Sequence, residues 1–319
     1  MNIVILDRDS IGRDLDLTEL EGLGSLRIYD TTSPNEVNDR ITDADVIILN
    51  KVKIGEDNLC SAGSLKLICI SATGFDNVDL DAARKHGVAV CNVPGYSTES
   101  VVQLTLACAL SLVCHLREYN QFVIDGSYSA SGLPNRLTPT YHEISGMTWG
   151  IIGYGNIGRS VATVARAMGA KVIFNRRTPT GEEGAVDIKT LLKESDIISI
   201  HCPLNDSSRG LISSETLKIV KPNAIIINMA RGAVVDNDAI VDAVTEGKIG
   251  GFASDVFDVE PIGSEHPLMK LASHPNVLLT PHCAWGAFES RCRCLSIIIS
   301  NIRAFNDGKS QNRVDILKQ

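Results

Sequence analysis

The sequence predicts a two-domain α/β protein in which each domain is built on a parallel sheet. Three observations carry this expectation. Short apolar runs alternate with helical segments over the first hundred residues, the pattern of a sheet covered by helices. The alternation pauses at an apolar helix and a turn-rich stretch, then restarts at Thr148 with six more strands. A last helical segment, roughly Ala287 to Asn306, is expected to return to the first domain and make it discontinuous. The expected domains are therefore residues 1–98 plus 286–319, and residues 99–285, with a cleft between them.

In the first domain, strands are expected at Asn2–Leu6, Leu26–Tyr29, Asp45–Leu49, Leu67–Ile70 and Val88–Cys91. Ser33-Pro34-Asn35-Glu36 is a capping box with proline at the first helical position. Asp79 caps the next helix, and Gly87 follows its basic last turn. Ser100–Glu118 reads as one long helix, buried on most sides and suited to a subunit interface. Asp125 to His142, with two glycines and two prolines, reads as a loop. In the second domain, strands are expected at Thr148–Ile152, Lys171–Asn175, Asp196–His201, Ala224–Asn228, Gly251–Ser254 and Val277–Thr280.

Composition narrows the function. The 319 residues are 44% hydrophobic and 21% charged, so a large core needs no disulfide or metal support. The net charge of −8 and the lack of any long Lys/Arg block argue against nucleic acid. An anionic substrate would need a local cationic anchor. The nine cysteines form no C-x-x-C pair, and their odd count suits a reducing, cytoplasmic compartment with no metal site. Met1 to Asp7 turns acidic too soon for a signal peptide, and the uncharged stretch Ser100–Leu116 falls short of a membrane span.

Thr148-Trp149-Gly150-Ile151-Ile152 runs into Gly153-Tyr154-Gly155-Asn156-Ile157-Gly158, then a helix from Arg159 to Met168 and a second strand. In that setting G-x-G-x-x-G reads as a dinucleotide-binding turn. Gly153 permits the turn, Gly155 lets the pyrophosphate approach, and Gly158 allows close helix–sheet contact. Asn156 and Ile157 lead the helix N-terminus toward the phosphates. The second strand ends in Asn175-Arg176-Arg177, where an NAD-selective site usually carries a carboxylate. Arginine can pair with a 2′-phosphate that a carboxylate would repel, so NADP(H) is expected to be favoured over NAD(H).

Arg231, then Asp255 and Glu260, then His282 lie just past three successive strand ends. Ligands of open α/β sheets bind at the carboxyl ends of strands. Reduction of a 2-keto acid needs a cation for the carboxylate and an acid for the carbonyl oxygen. Arg231 offers a planar fork, His282 an imidazole that titrates near neutrality, and Glu260 a partner for its second nitrogen. Asp255 is expected to accept from the nicotinamide carboxamide.

These residues lie in longer motifs. They are Ser71-Ala72-Thr73-Gly74-Phe75-Asp76-Asn77-Val78-Asp79, the Gly153–Gly158 turn, Met229-Ala230-Arg231-Gly232, Asp255-Val256-Phe257-Asp258-Val259-Glu260-Pro261, and Thr280-Pro281-His282-Cys283-Ala284-Trp285. In them the chain resembles the D-isomer-specific 2-hydroxyacid dehydrogenases over nearly its whole length. The resemblance implies a Rossmann-type doubly wound dinucleotide-binding domain and a discontinuous flavodoxin-like substrate domain. It implies that Arg231, Glu260 and His282 are catalytic and that amides near Thr73 and Gly74 help hold the substrate carboxylate. Cys202, Pro203, Met229, Ala230 and Asp255 would line the nicotinamide, with Ser208 nearby in the cofactor site. Cys91 to Thr98 and Trp285 look most like the glycerate dehydrogenases, or hydroxypyruvate reductases, within the family. Trp285 would bound the side-chain pocket, with plain packing as its alternative. The resemblance also implies a homodimer. Two rival readings are a nucleotide-sensing corepressor-type module and a formate- or phosphite-type dehydrogenase. The lack of a long disordered or basic segment argues against the first, and the side-chain space near Trp285 against the second.

Overall fold

The computed structural model describes residues 1–177 and 181–316. The chain divides into two compact units, Met1–Ser97 with Gly286–Gln319, and Thr98–Trp285.

The first unit holds a five-stranded sheet of β1 (Asn2–Ile5), β2 (Ser25–Ile28), β3 (Val46–Leu49), β4 (Leu67–Ile70) and β5 (Ala89–Cys91). All pairs are parallel, in the order β2-β1-β3-β4-β5, which is the flavodoxin order. β3 and β4 are buried at every position, as continuous Val/Ile/Leu runs are when helices cover both faces. The anticipated helix starts are present. The Ser33 amide donates to Glu36 Oε2 at 2.8 Å, and Asp79 accepts from the amides of Asp81 and Ala82 at 3.0 and 2.9 Å. The terminal helix Phe288–Asn306 packs on β4, and its buried Asn301 donates to the Asn92 carbonyl at 3.0 Å.

The second unit holds β6 (Thr148–Ile152), β7 (Lys171–Asn175), β8 (Ile197–Ile200), β9 (Ile225–Asn228), β10 (Gly251–Ser254) and β11 (Val277–Leu279). They form one parallel sheet in the order β11-β10-β9-β8-β6-β7. An isolated parallel bridge between Phe174 and Ala185 extends its β7 edge. The chain leaves β6 for β7 on one side and resumes at β8 on the other, so the winding reverses between β6 and β8. That reversal opens a crevice at the carboxyl ends of the two strands. Trp149 is fully buried and donates its indole N–H to Ser199 Oγ at 3.0 Å, which satisfies its one polar atom.

Two expectations need correction. The stretch Ser100–Glu118 is not one helix. Helices Thr98–Val113 and Leu116–Ile124 meet at a bend of 63°. His115 between them adopts φ 49°, the left-handed conformation that commonly ends a helix. The first helix buries eight residues in its unit and the second none, so a continuous straight helix would carry an apolar face away from the core. The stretch expected as a loop from Asp125 to His142 contains a short helix, Ser127–Ser131. Among the described residues no single helix is long and apolar enough to cross a membrane; only the bent pair passes, by length and composition.

Candidate active site

The glycine turn after β6 sits at the reversal of the sheet. Gly153 has φ +95°, and a Cβ there would lie 2.5 Å from Cys202 N and 2.6 Å from the His201 carbonyl carbon. Only glycine lets the turn lie against the segment after β8. A Cβ on Gly158 would meet the Gly153 carbonyl oxygen at 2.2 Å, which seats the helix Asn156–Ala167 on the turn. Gly155, by contrast, faces open space. Tyr154 stacks on Phe174 with ring centroids 3.6 Å apart and stiffens the turn from below. Open space before Gly155 and the exposed Asn156 that begins a twelve-residue helix fit a pyrophosphate. His201 adds a second sign. The residue is only partly buried, yet both ring nitrogens are shut off from solvent without a hydrogen-bond partner. Burial pushes its imidazole down to about 3, so it presents a neutral ring beside the turn.

The Asn175 side chain donates to the Val186 carbonyl at 2.9 Å. Glu182 Oε1 lies 2.9 Å from Arg159 and 3.7 Å from Arg176. Ser208 does not point outward. It is buried, donates to the Pro203 carbonyl at 2.8 Å and accepts from the Asn205 amide at 2.8 Å. Ser208 thus pins the Cys202–Pro203 loop.

The catalytic candidates lie past β9, β10 and β11, which are neighbours in the sheet. Asn228, at the end of β9, is buried. It accepts from the Ala230 amide at 3.1 Å and donates to the Arg231 carbonyl at 3.0 Å. This closes the turn through the buried Met229 and Ala230 that presents Arg231. Gly232 follows because a Cβ there would lie 2.0 Å from the Phe257 carbonyl carbon and 2.1 Å from Asp258 N. The Arg231 turn therefore rests on the Asp255–Glu260 loop, backbone against backbone. Glu260 Oε1 accepts from the Phe257 amide at 3.1 Å, and Oε2 lies 2.7 Å from His282 Nδ1. Both side chains keep about a quarter of their surface exposed, 28% and 25%. A carboxylate only accepts, so Nδ1 carries a proton toward Glu260. His282 adopts φ 51°, a conformation that a non-glycine residue holds only when its surroundings fix it.

Those surroundings centre on Asp255, which is 1% exposed. It accepts from Thr280 Oγ1 at 2.6 Å, Cys283 N at 2.9 Å and Ala284 N at 2.8 Å. Both oxygens are therefore committed to the segment that carries His282. Asp258 meets His266 Nε2 at 2.7 Å and Asn237 Nδ2 at 2.9 Å, which steadies the far side of the Glu260 loop. Trp285 is partly buried and packs against the core of this unit. Sequence reasoning missed Asn228, Thr280, Asp258 and His266. For Asn228 and Thr280 the signal was a polar residue at a strand end, which is an anchor for the following turn as often as a ligand-binding group; Asp258 and His266 lie in the connection after β10.

Thr73 and Gly74 lie in the first unit, after β4. Thr73 Oγ1 donates to the Val93 carbonyl at 2.9 Å, and Asn92 Nδ2 donates to the Thr73 carbonyl at 2.8 Å.

The chain is similar to known proteins over most of its length. Residues 106–284 match the family described as D-isomer specific 2-hydroxyacid dehydrogenase, NAD binding domain. A hydroxypyruvate reductase of Blautia hydrogenotrophica is 34% identical over 99% of this chain and 100% of its own. A glycerate dehydrogenase of Methylorubrum extorquens is 35% identical over 98% of each chain. Among solved structures, an acyclic imino acid reductase in complex with NADPH and D-Arg superposes with a TM-score of 0.87 at 26% identity, over 98% of this chain and 100% of that one. The chain belongs to the D-isomer-specific 2-hydroxyacid dehydrogenase family. It is a nicotinamide-dependent oxidoreductase whose second unit carries the dinucleotide-binding domain.

Proposed function

We propose that the enzyme reduces a small 2-keto acid of the hydroxypyruvate or glyoxylate kind to its D-2-hydroxy acid. The single observation that carries the proposal is the Glu260–His282 pair at 2.7 Å, on the strand edge that also presents Arg231. His282 Nε2 donates a proton to the carbonyl oxygen. Glu260 holds the ring through its Nδ1. Arg231 binds the substrate carboxylate with a planar fork of donors. Trp285 bounds the substrate side chain. Arg231, Glu260 and His282 are thus the catalytic set, and Asp255 acts through the segment that carries His282.

When bound, the nicotinamide supplies the hydride. Gly153, Gly155, Asn156, Ile157 and Gly158 would hold the pyrophosphate, and Cys202, Pro203, Met229 and Ala230 would line the nicotinamide. Asn175, Arg176 and Arg177 would meet the adenosine ribose. The lack of a carboxylate at Asn175 favours NADPH over NADH. Homologues named hydroxypyruvate reductase and glycerate dehydrogenase support the substrate class. A homodimer is supported by the apolar side chains that Leu116, Val123, Ile124, Leu133 and Leu137 expose. A cytoplasmic site is supported by nine unpaired thiols.

The test is turnover of hydroxypyruvate, glyoxylate and pyruvate with each cofactor. The expected result is the highest kcat/KM with hydroxypyruvate or glyoxylate, and with NADPH. Failure to turn over any of the three overturns the substrate class, and a clear NADH preference overturns the cofactor assignment.

A further inference from the structure

A cluster in the first unit has no part in the chemistry above. Glu56 and Cys60 lie one helical turn apart on the helix Glu56–Ser61, so their side chains share a face. His86 ends the helix Leu80–Lys85 and brings its ring to that face. His86 Nε2 lies 3.0 Å from Glu56 Oε1 and 3.7 Å from Cys60 Sγ, and Cys60 Sγ lies 3.5 Å from Glu56 Oε1. One ligand atom from each residue falls within 4.8 Å of the other two.

We propose that Glu56, Cys60 and His86 bind a divalent transition-metal ion of the zinc class. The argument is geometric first. Metal bonds of about 2.0–2.1 Å to nitrogen or oxygen and about 2.3 Å to sulfur, at tetrahedral angles, place ligand atoms roughly 3.4–3.6 Å apart. The three observed separations bracket that range before any ion has drawn the groups together. The chemistry agrees. A thiolate and an imidazole select zinc-like ions over magnesium or calcium, and the carboxylate supplies charge. An ion pair of Glu56 with Lys85, at 2.5 Å, accounts for the charges alone. It does not account for a thiol placed against both the carboxylate and the imidazole.

The ion would displace the Lys85 ammonium from Glu56 and tie the two helices together. Three protein ligands leave a fourth position, and the exposure of Cys60 and His86 leaves it to solvent. Binding stabilises the folded chain by mass action and releases the Cys60 proton.

The experiment uses the full chain after treatment with a chelator, titrated with Co²⁺ and then Zn²⁺. The expected result is one cobalt per chain, with four-coordinate visible absorption and a near-ultraviolet thiolate-to-cobalt band that Zn²⁺ abolishes. Cys60→Ser should remove the thiolate band, and His86→Gln should weaken cobalt binding by about tenfold or more. Cys283→Ser, which alters another exposed thiol, should retain both. Circular dichroism of each variant checks that the fold is kept. Absence of the band in the unaltered chain, or its survival in Cys60→Ser, overturns the proposal.

Discussion

Glu260 divides its two oxygens, one accepting the Phe257 amide at 3.1 Å and the other facing His282 Nδ1 at 2.7 Å. The first bond aims the carboxylate and the second uses it. Glu260→Gln keeps the shape but exchanges the carboxylate that faces the ring for a neutral amide. In the proposed reduction kcat/KM should fall by about tenfold or more. The check is steady-state kinetics with the best keto acid, and an unchanged kcat/KM separates Glu260 from the mechanism.

Arg231→Ala should cost about 2–5 kcal/mol in kcat/KM, the range for truncating one partner of a hydrogen-bonded charge pair. Arg231→Lys should recover only part of this, because an ammonium lacks the planar fork. Steady-state kinetics with the best keto acid measure both. Unchanged kcat/KM in the alanine variant removes Arg231 from the mechanism.

Asp255→Asn should lower stability and activity together. The two carboxylate oxygens accept three hydrogen bonds from the segment that carries His282, and an amide would turn a donor against one of those donors. The expected loss is roughly 1–3 kcal/mol of stability, with a fall in kcat because His282 is no longer held at its positive φ. Denaturant unfolding and kcat, measured on the same preparation, read the two effects. A variant of full stability and full activity would leave Asp255 with no positioning role.

Glu182 contacts Arg159 and Arg176 at 2.9 and 3.7 Å, beside the strand end where a 2′-phosphate would seek a cation. Glu182→Gln should lower KM for NADPH severalfold and change KM for NADH little, because only the phosphate feels the lost negative charge. An equal effect on both cofactors would place Glu182 away from the phosphate.

His201 stays neutral in the folded chain, its imidazole pushed from 6.5 to about 3 by burial. Between those values the unfolded chain binds the extra proton, so stability falls as pH falls through that window. Relative to His201→Phe, the unaltered chain should lose on the order of 2 kcal/mol between pH 7 and pH 4.5. Unfolding of the cofactor-free protein at the two pH values gives the difference. Parallel losses in both chains would show that the ring is hydrated when folded.

Much of the architecture was legible because period and punctuation agreed. β4, β6, β7 and β10 have the bounds that the apolar runs implied, and Asp79 caps its helix as its position suggested. The helix break at His115 was illegible because no proline or glycine marks it. The bend arises from what each half packs against, which a local pattern does not encode. The pairing of Glu260 with His282 could be anticipated from two strand ends that are neighbours in the sheet. The work of Asp255 could not, since a carboxylate that serves backbone amides and one that serves a ligand look the same in sequence.

Gly232 has a practical consequence. Its missing side chain lets the Arg231 turn and the Phe257–Asp258 backbone touch, so the two strand-end loops behave as one casting, and their spacing does not depend on any rotamer. Engineers who wish to retune what the guanidinium grips should therefore diversify the walls around it and leave this neighbour alone. Even alanine at 232 would pry apart the parts whose alignment they hope to keep.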